Sequence, residues 1–177
     1  VGLMKVGPRD IELSPESQQA AEKTARALES LGHHVEEAHP EALPDPAVVG
    51  TYVEVVNCNV ARALDAWGEK IGRPVQPGDV EPLTWALAER GRSVSGPRHL
   101  ANLEFVHALG RRFAEWWETG FDLLLTPTQA APPPRIGTLV SNPDEPLRPF
   151  MLSAPYGAYT LPFNLSGQPA ISLPVHW

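Results

Sequence analysis

Apolar residues recur at helical spacing through the first two-thirds of the chain. Ala21, Thr24, Ala25, Leu28 and Leu31 share one face at steps of three and four. Ser14 can cap that helix, Pro15 has no amide hydrogen to lose in the first turn, and Glu16 suits the positive end of the helix dipole. Gly32 ends it. A second helix begins at Asp45-Pro46 and runs toward Trp67. Its wide stripe is Val49, Tyr52, Val53, Val56, Val60, Ala63, Leu64 and Trp67. Many of these are β-branched, so packing rather than propensity must hold the helix. Glu81-Pro82 opens a third helix that stops at Gly91. Ser95-Gly96-Pro97 opens a fourth, running to Thr119, with Leu100, Leu103, Val106, Leu109, Phe113 and Trp116 or Trp117 on its buried side.

Strand signals are shorter. Residues 1–6 form an apolar run ended by Gly7-Pro8, and His33 to Ala38 reads as a second strand. With the helix between them they predict a crossover unit at the edge of a sheet. Gly120 closes the helical middle, and Phe121 to Leu125 is an apolar run too short for a typical helix, hence a buried strand. Residues 121–177 hold 11 of the 20 prolines and only five charged residues, which predicts strand and fixed loop. Asn164 to Gly167 reads as a turn or short helical end, and Ala170 to Val175 as a last strand. The chain reads as a single partial domain, 1–177. Its stretches are 1–40 (strand-helix-strand), 41–120 (mostly helical) and 121–177 (Pro-rich strand and loop of the sheet). Val1 opens within a strand pattern, as expected of a piece cut from a longer chain.

Composition narrows the partners. The formal net charge of -7 disfavours a nucleic acid, which rewards a basic stripe. The single cysteine, Cys58, excludes an internal disulfide and a cysteine-rich metal site, and it suits a reducing, cytoplasmic compartment. No apolar run approaches a membrane span, and no membrane partner is expected.

The candidate chemistry is sparse. Adjacent His33 and His34 point to opposite faces if extended. His99 and His107 lie two turns apart on one helix, about 12 Å along its axis, too far for one ion. No metal and no cofactor are predicted. Cys58 reads first as a buried structural thiol, with a pocket wall as the alternative. Asn57 and Asn59 need partners inside an apolar helix. Ser153, Ser166 and Ser172 sit in no nucleophile pattern, and Lys5, Lys23 and Lys70 have no desolvating neighbours that would make a base. By chemistry alone the chain holds no catalytic centre.

Order and spacing supply what chemistry does not. Asp122, Leu124, Thr126, Pro127 and Thr128, then Pro133, Ile136 and Gly137, then Phe163, Asn164, Gly167, Pro169, Ala170, Ser172 and Pro174 resemble the late part of an amidase-signature hydrolase. Val1–Lys5, Ser14–Val35 and Glu81-Pro82-Leu83-Thr84 extend the resemblance over nearly the whole chain. The last is most similar to amidases acting on cyclic or linear aminohexanoate amides and to aryl acylamidases.

The resemblance implies an α/β fold, part of the amidase-signature fold, with a mixed twisted sheet flanked by helices and incomplete at both ends. It implies a serine-type hydrolase of linear or cyclic carboxamides, in which a Ser, a cis-Ser and a Lys do the chemistry. Those elements belong to the amino-proximal half of such enzymes, so no catalytic residue carries over and this chain alone is expected to be inert. Cys58, Trp85, Tyr156 and Phe163 are the candidates for lining the substrate pocket. Asp122, Thr126, Pro127, Thr128, Asn164, Gly167, Pro169, Ser172 and Pro174 take structural roles, with Asn164 tying its loop by hydrogen bonds. The implied partners are an amide-containing small molecule and the amino-proximal catalytic segment, with a homodimer as a further option. Family members continue past the point where Pro174-Val175-His176-Trp177 ends, so exposed strand edges and poor stability in isolation are expected. The rival reading is a noncatalytic amidase remnant or small-molecule-binding module.

Overall fold

The computed structural model describes residues 1–5, 7 and 11–175. The ends of two sequence motifs, at Val6 and Pro8 and at His176 and Trp177, lie outside the described residues. The elements, in order, are β1 (Gly2–Leu3), α1 (Pro15–Ser30), β2 (Glu36–Glu37), α2 (Pro46–Ile71), α3 (Pro82–Ser93), α4 (Gly96–Trp117), β3 (Leu124–Leu125), α5 (Arg148–Leu152), α6 (Ala154–Gly157) and α7 (Leu161–Ser166). A 3-10 turn at Pro77–Asp79 separates α2 from α3. No helix among the described residues is long and apolar enough to cross a membrane.

The four long helices begin where the sequence places them, each at or next to a proline. Ser14 Oγ accepts from the Ser17 amide at 3.3 Å and caps α1. The sheet is smaller than expected and not mixed. Its order is β2-β1-β3, with both pairings parallel: Gly2 opposite Glu36 and Leu124, Leu3 opposite Glu37 and Leu125. The β1-α1-β2 crossover at the sheet edge is as predicted. The predicted strands shrink because a ladder needs backbone partners, and these three segments meet for only two residues each.

Residues 121–177 also differ from their expected strand and loop, since α5, α6 and α7 lie within them. Two of the prolines that suggested loop, Pro149 and Pro162, sit instead in first turns, where the missing amide hydrogen costs nothing. Ala170–Val175 is not a strand. It makes no ladder among the described residues, and Ile171 and Leu173 stand exposed.

The chain divides into two compact units: residues 1–48, 106–133 and 155–177, and residues 49–105 and 134–154. In the first, Leu3 on β1 packs with Ala21 and Ala25 on α1, flanked by Val35 and Leu125. Leu109, Phe113, Val48, Ala130 and Tyr159 are also buried there. Arg112 on α4 bonds Asp45, just before α2, at 2.7 Å, and this pairing holds the Asp45 carboxyl below its usual range. Trp116 stacks on Phe121, with ring centroids 4.5 Å apart.

In the second unit, Ala61, Leu64 and Ala88 form a cluster joined by Val60, Val75, Val80 and Trp85. Gly91 on α3 lies so close to α2 that a Cβ there would run into the backbone carbonyl of Asn57. The stripe read from α4 is only half right. Leu109 and Phe113 are buried, but Leu100 and Leu103 are exposed and Asn102 is buried in their stead. The cause is a polar cluster. Glu54 on α2 accepts from Arg98 Nε at 2.6 Å and from Asn102 Nδ2 at 2.7 Å. Arg98 first, then Asn102, lower the Glu54 pKa. On α2, Ala63 and Trp67 are likewise exposed, and Lys70 lies 4.5 Å from the Trp67 ring.

After α2, Arg73 makes a two-pronged pair with Asp79, at 2.6 and 2.9 Å. That guanidinium and the Gln76 amide hold the Asp79 carboxyl at about 2. Because the folded pKa is depressed, the pair's contribution is present above the ordinary carboxylate pKa and is lost as pH falls through about 2. The carboxyl carbon of Asp79 should therefore titrate near that value by NMR, and Arg73→Ala should return it to the ordinary range. A midpoint near 4 in the unaltered chain would contradict the pairing.

The α2–α3 contact gives a second expectation. Gly91→Ala should destabilise by about 1–3 kcal/mol, because backbone rather than a flexible side chain must move. Gly110→Ala on α4 meets only an ordinary contact with the Ser166 carbonyl. It should be neutral or stabilising by up to about 1 kcal/mol through helix propensity. Urea unfolding midpoints of the two variants check this, and equal shifts would refute it.

Candidate functional site

The site is built outward from the end of β3. Parallel strands all present their carboxyl ends on one side, where pockets form in open α/β sheets. β3 leads there into Thr126-Pro127-Thr128. Thr126 Oγ1 donates to the Pro127 carbonyl at 2.9 Å, and Pro127 is buried. The chain then reaches Ala130, which is fully buried and bonded on both sides of its peptide. Its carbonyl accepts from the Ser14 amide at 2.8 Å, and its amide donates to the Pro155 carbonyl at 3.0 Å.

The two motifs of this region meet. Thr128 Oγ1 and Ser172 Oγ are 3.1 Å apart, so the Thr-Pro-Thr turn and the late Gly-x-Pro segment touch through their hydroxyls. Gly167 ends α7 at a φ of 72°, a left-handed conformation that favours glycine, and its amide donates to the Phe163 carbonyl at 2.8 Å. Asn164, expected to tie the loop, is exposed on α7, and its side chain makes no such tie among the described residues. The tie is made by Gln168, whose Oε1 accepts from Trp117 Nε1 at 3.0 Å. The helix turns the Asn164 side chain outward, while Gln168 lies past the helix end and can reach α4. Pro169 and Pro174 are exposed, and Asp122, also exposed, lies just before β3.

Of the pocket candidates, Tyr156 and Phe163 belong to the first unit, on α6 and α7. Both are half-buried, and Phe163 packs against Phe113 with centroids 5.4 Å apart. Tyr159, which the sequence reading passed over, is the buried tyrosine. Its hydroxyl has no partner among the described residues, and burial pushes its pKa up. Nothing in the spacing of Tyr156 and Tyr159 distinguishes them beforehand.

Cys58 and Trp85 belong to the second unit. Cys58 is half-buried rather than buried, with Sγ 3.9 Å from the Gly91 carbonyl. Burial first, and then the negative charge of Glu54, raise its thiol pKa, which keeps it protonated at neutral pH and a poor nucleophile. Trp85 packs on the Ala61–Leu64–Ala88 cluster, with the Arg92 guanidinium 5.7 Å from its ring. Arg92 is engaged in turn by Asp65 at 2.8 Å and Glu89 at 2.9 Å. Asn57 is buried and its Oδ1 finds no partner among the described residues, whereas Asn59 is exposed. A surface cleft of about 390 Å³ lies beside Leu64, Gly68, Val75 and Arg92, and a smaller one beside Leu3 and Val35. Neither includes any of the four pocket candidates.

No lysine adjoins a serine in an activating arrangement among the described residues. Lys5 lies 3.4 Å from Glu37, Lys70 sits over Trp67, and Lys23 is exposed. Ser153 Oγ donates to the Phe150 carbonyl, Ser166 Oγ is buried without a partner among the described residues, and Ser172 is committed to Thr128. No group of three His, Cys, Asp or Glu among the described residues is placed to hold a metal ion.

Comparison with known proteins accounts for this arrangement of motifs. The family described as Amidase matches residues 1–177. The 6-aminohexanoate-cyclic-dimer hydrolases of Pseudomonas sp. (strain NK87) and of Paenarthrobacter ureafaciens are each 38% identical to the chain. Each alignment covers 99% of this chain and 37% of the relative. A lipoamidase of Enterococcus faecalis is 26% identical over 96% of the chain and 26% of its own length. The solved structure of 6-aminohexanoate cyclic dimer hydrolase complexed with substrate superposes with a TM-score of 0.92 at 37% identity, over 99% of this chain and 38% of that one. The chain thus spans little more than a third of the length of these hydrolases. It belongs to the amidase family.

Proposed function

We propose that this chain is the later, substrate-pocket-forming portion of a hydrolase that cleaves linear or cyclic carboxamides through a serine acyl-enzyme. The observation that carries this reading is the superposition of nearly the whole chain on part of a cyclic-amide hydrolase solved with substrate. The meeting of Thr128 and Ser172 supports it from within the chain, because two separated family motifs converge at a strand end. The nucleophilic Ser, the cis-Ser and the Lys base would come from an amino-proximal segment. This chain would contribute pocket walls, with Cys58, Trp85, Tyr156 and Phe163 as the side chains that face the amide substrate. It needs no metal or cofactor for that role, and alone it is inert.

A chimera tests this. Residues 1–177 replace the matching stretch of the Paenarthrobacter ureafaciens hydrolase, and release of amine from the 6-aminohexanoate cyclic dimer is followed. Turnover by the chimera, with none from the isolated chain, is expected. A chimera that folds but hydrolyses neither cyclic nor linear amides would favour a noncatalytic remnant.

The protonated thiol gives a further expectation. Cys58→Ala in the chimera should keep kcat within about tenfold, as for a pocket wall and not a nucleophile. Complete loss of turnover with the fold intact would assign covalent chemistry to the cysteine instead.

A further inference from the structure

The first turn of α3 is capped from a distance. Glu81 stands at its N-cap but makes no side-chain capping bond, and Pro82 has no amide hydrogen. The first free amide, that of Leu83, donates to Ser141 Oγ at 2.8 Å, across a separation of 58 residues. Ser141 belongs to residues 134–154, a strap that leaves the first unit and counts with the second, although the chain on both sides of it belongs to the first. Burial does little to fasten the strap ahead of that bond, since Ile136, Leu139 and Val140 are all exposed. Just past it the strap is braced, because Asn142 Oδ1 accepts from the Asp144 amide at 3.0 Å and the Asn142 carbonyl from the Glu145 amide at 3.2 Å. Ser141 is half-buried between two local turns of the strap, one before it in which the Thr138 amide donates to the Arg135 carbonyl at 3.0 Å, and the Asn142 turn after it.

The turn it caps carries Trp85. The Trp85 amide makes an early bond of the helix, to the Glu81 carbonyl at 3.1 Å, two residues after the capped amide. If that turn frays, Trp85 loses its backbone anchor, and its ring is left to packing on Ala61, Leu64 and Ala88 and to the Arg92 guanidinium 5.7 Å from it.

We propose that Ser141 is a positioning residue for the amide substrate: its hydroxyl latches the strap to the first turn of α3 and so fixes the ring of Trp85 as a pocket wall. This rests on the reading that Trp85 faces substrate in an assembled hydrolase. The latch acts on binding rather than on bond breaking, so its loss should appear in KM and not in kcat.

The chimera described above is the protein to use, with Ser141→Ala, Ser141→Cys and Ser141→Thr. Ala removes the acceptor, Cys keeps the size with a weaker acceptor, and Thr keeps the hydroxyl. The expected result for Ser141→Ala is a KM for the cyclic dimer raised about fivefold with kcat within twofold, together with faster hydrogen exchange at the Leu83 amide. Cys should be intermediate and Thr close to the unaltered chimera, so the series remains readable even if the alanine variant does not fold. Faster exchange at Leu83 with an unchanged KM would reduce Ser141 to a structural cap and overturn the proposal while leaving the amidase reading intact. A threonine variant as impaired as alanine would overturn it too. A chimera inactive with Ser141 in place would instead count against the amidase reading itself.

Discussion

The two-sided bonding of Ala130 is the constraint around which the first unit is arranged. A residue with no exposed surface must have both of its backbone groups paired, and Ala130 finds those partners at the start of α1 and at the chain's return before α6. The bond to the Ser14 amide sets the beginning of α1 against the loop that follows β3. The bond to Pro155 sets the segment that leads to Tyr156, Tyr159 and Phe163. The meeting of Thr128 with Ser172 is then a short-range consequence, since the loop's path is already fixed two residues further on. Rigidity at this strand end comes from backbone pairing and from Pro127.

The second unit depends on a different device. α2 and α3 approach closely because Gly91 lacks a side chain, and Asn57 is buried there with an oxygen that has no partner among the described residues. Around that contact the surface is fastened by guanidinium-carboxylate pairs: Arg98 with Glu54, Arg92 with Asp65, Arg73 with Asp79. Pairs this exposed contribute modestly to stability, and their role is to set register.

Helix positions were legible in the sequence because prolines and caps are local signals. Pro15, Pro46 and Pro82 each announce a first turn, and Gly32 and Gly167 each sit at or just past a helix end. The faces were less legible. Periodicity names a stripe but cannot know that Glu54 will draw Asn102 inward and leave Leu100 and Leu103 outside. Strand extent was least legible, since a ladder is a property of two segments. Leu124 and Leu125 find β1, whereas Ala170–Val175 finds no ladder among the described residues. The family motifs stood out in the sequence because glycine and proline at fixed spacing mark backbone geometry. Their hydrogen bonds did not: Gln168 and Ala130 look ordinary until the fold brings Trp117 and Ser14 to them.

The parallel pairing of β1 with β3 has a consequence for how the chain reaches this state. The two strands come from the first few residues and from the final third, so the ladder between Gly2–Leu3 and Leu124–Leu125 closes a loop containing most of the helices. Closing so long a loop loses chain entropy that a two-residue ladder cannot offset alone. Residues 49–105, by contrast, are contiguous and rich in local helix contacts, the kind of segment that organises quickly. Folding should therefore run from the middle outward, with the sheet as a late event. During synthesis, Leu3 would leave the ribosome long before Leu124 and Leu125, the strand it pairs beside.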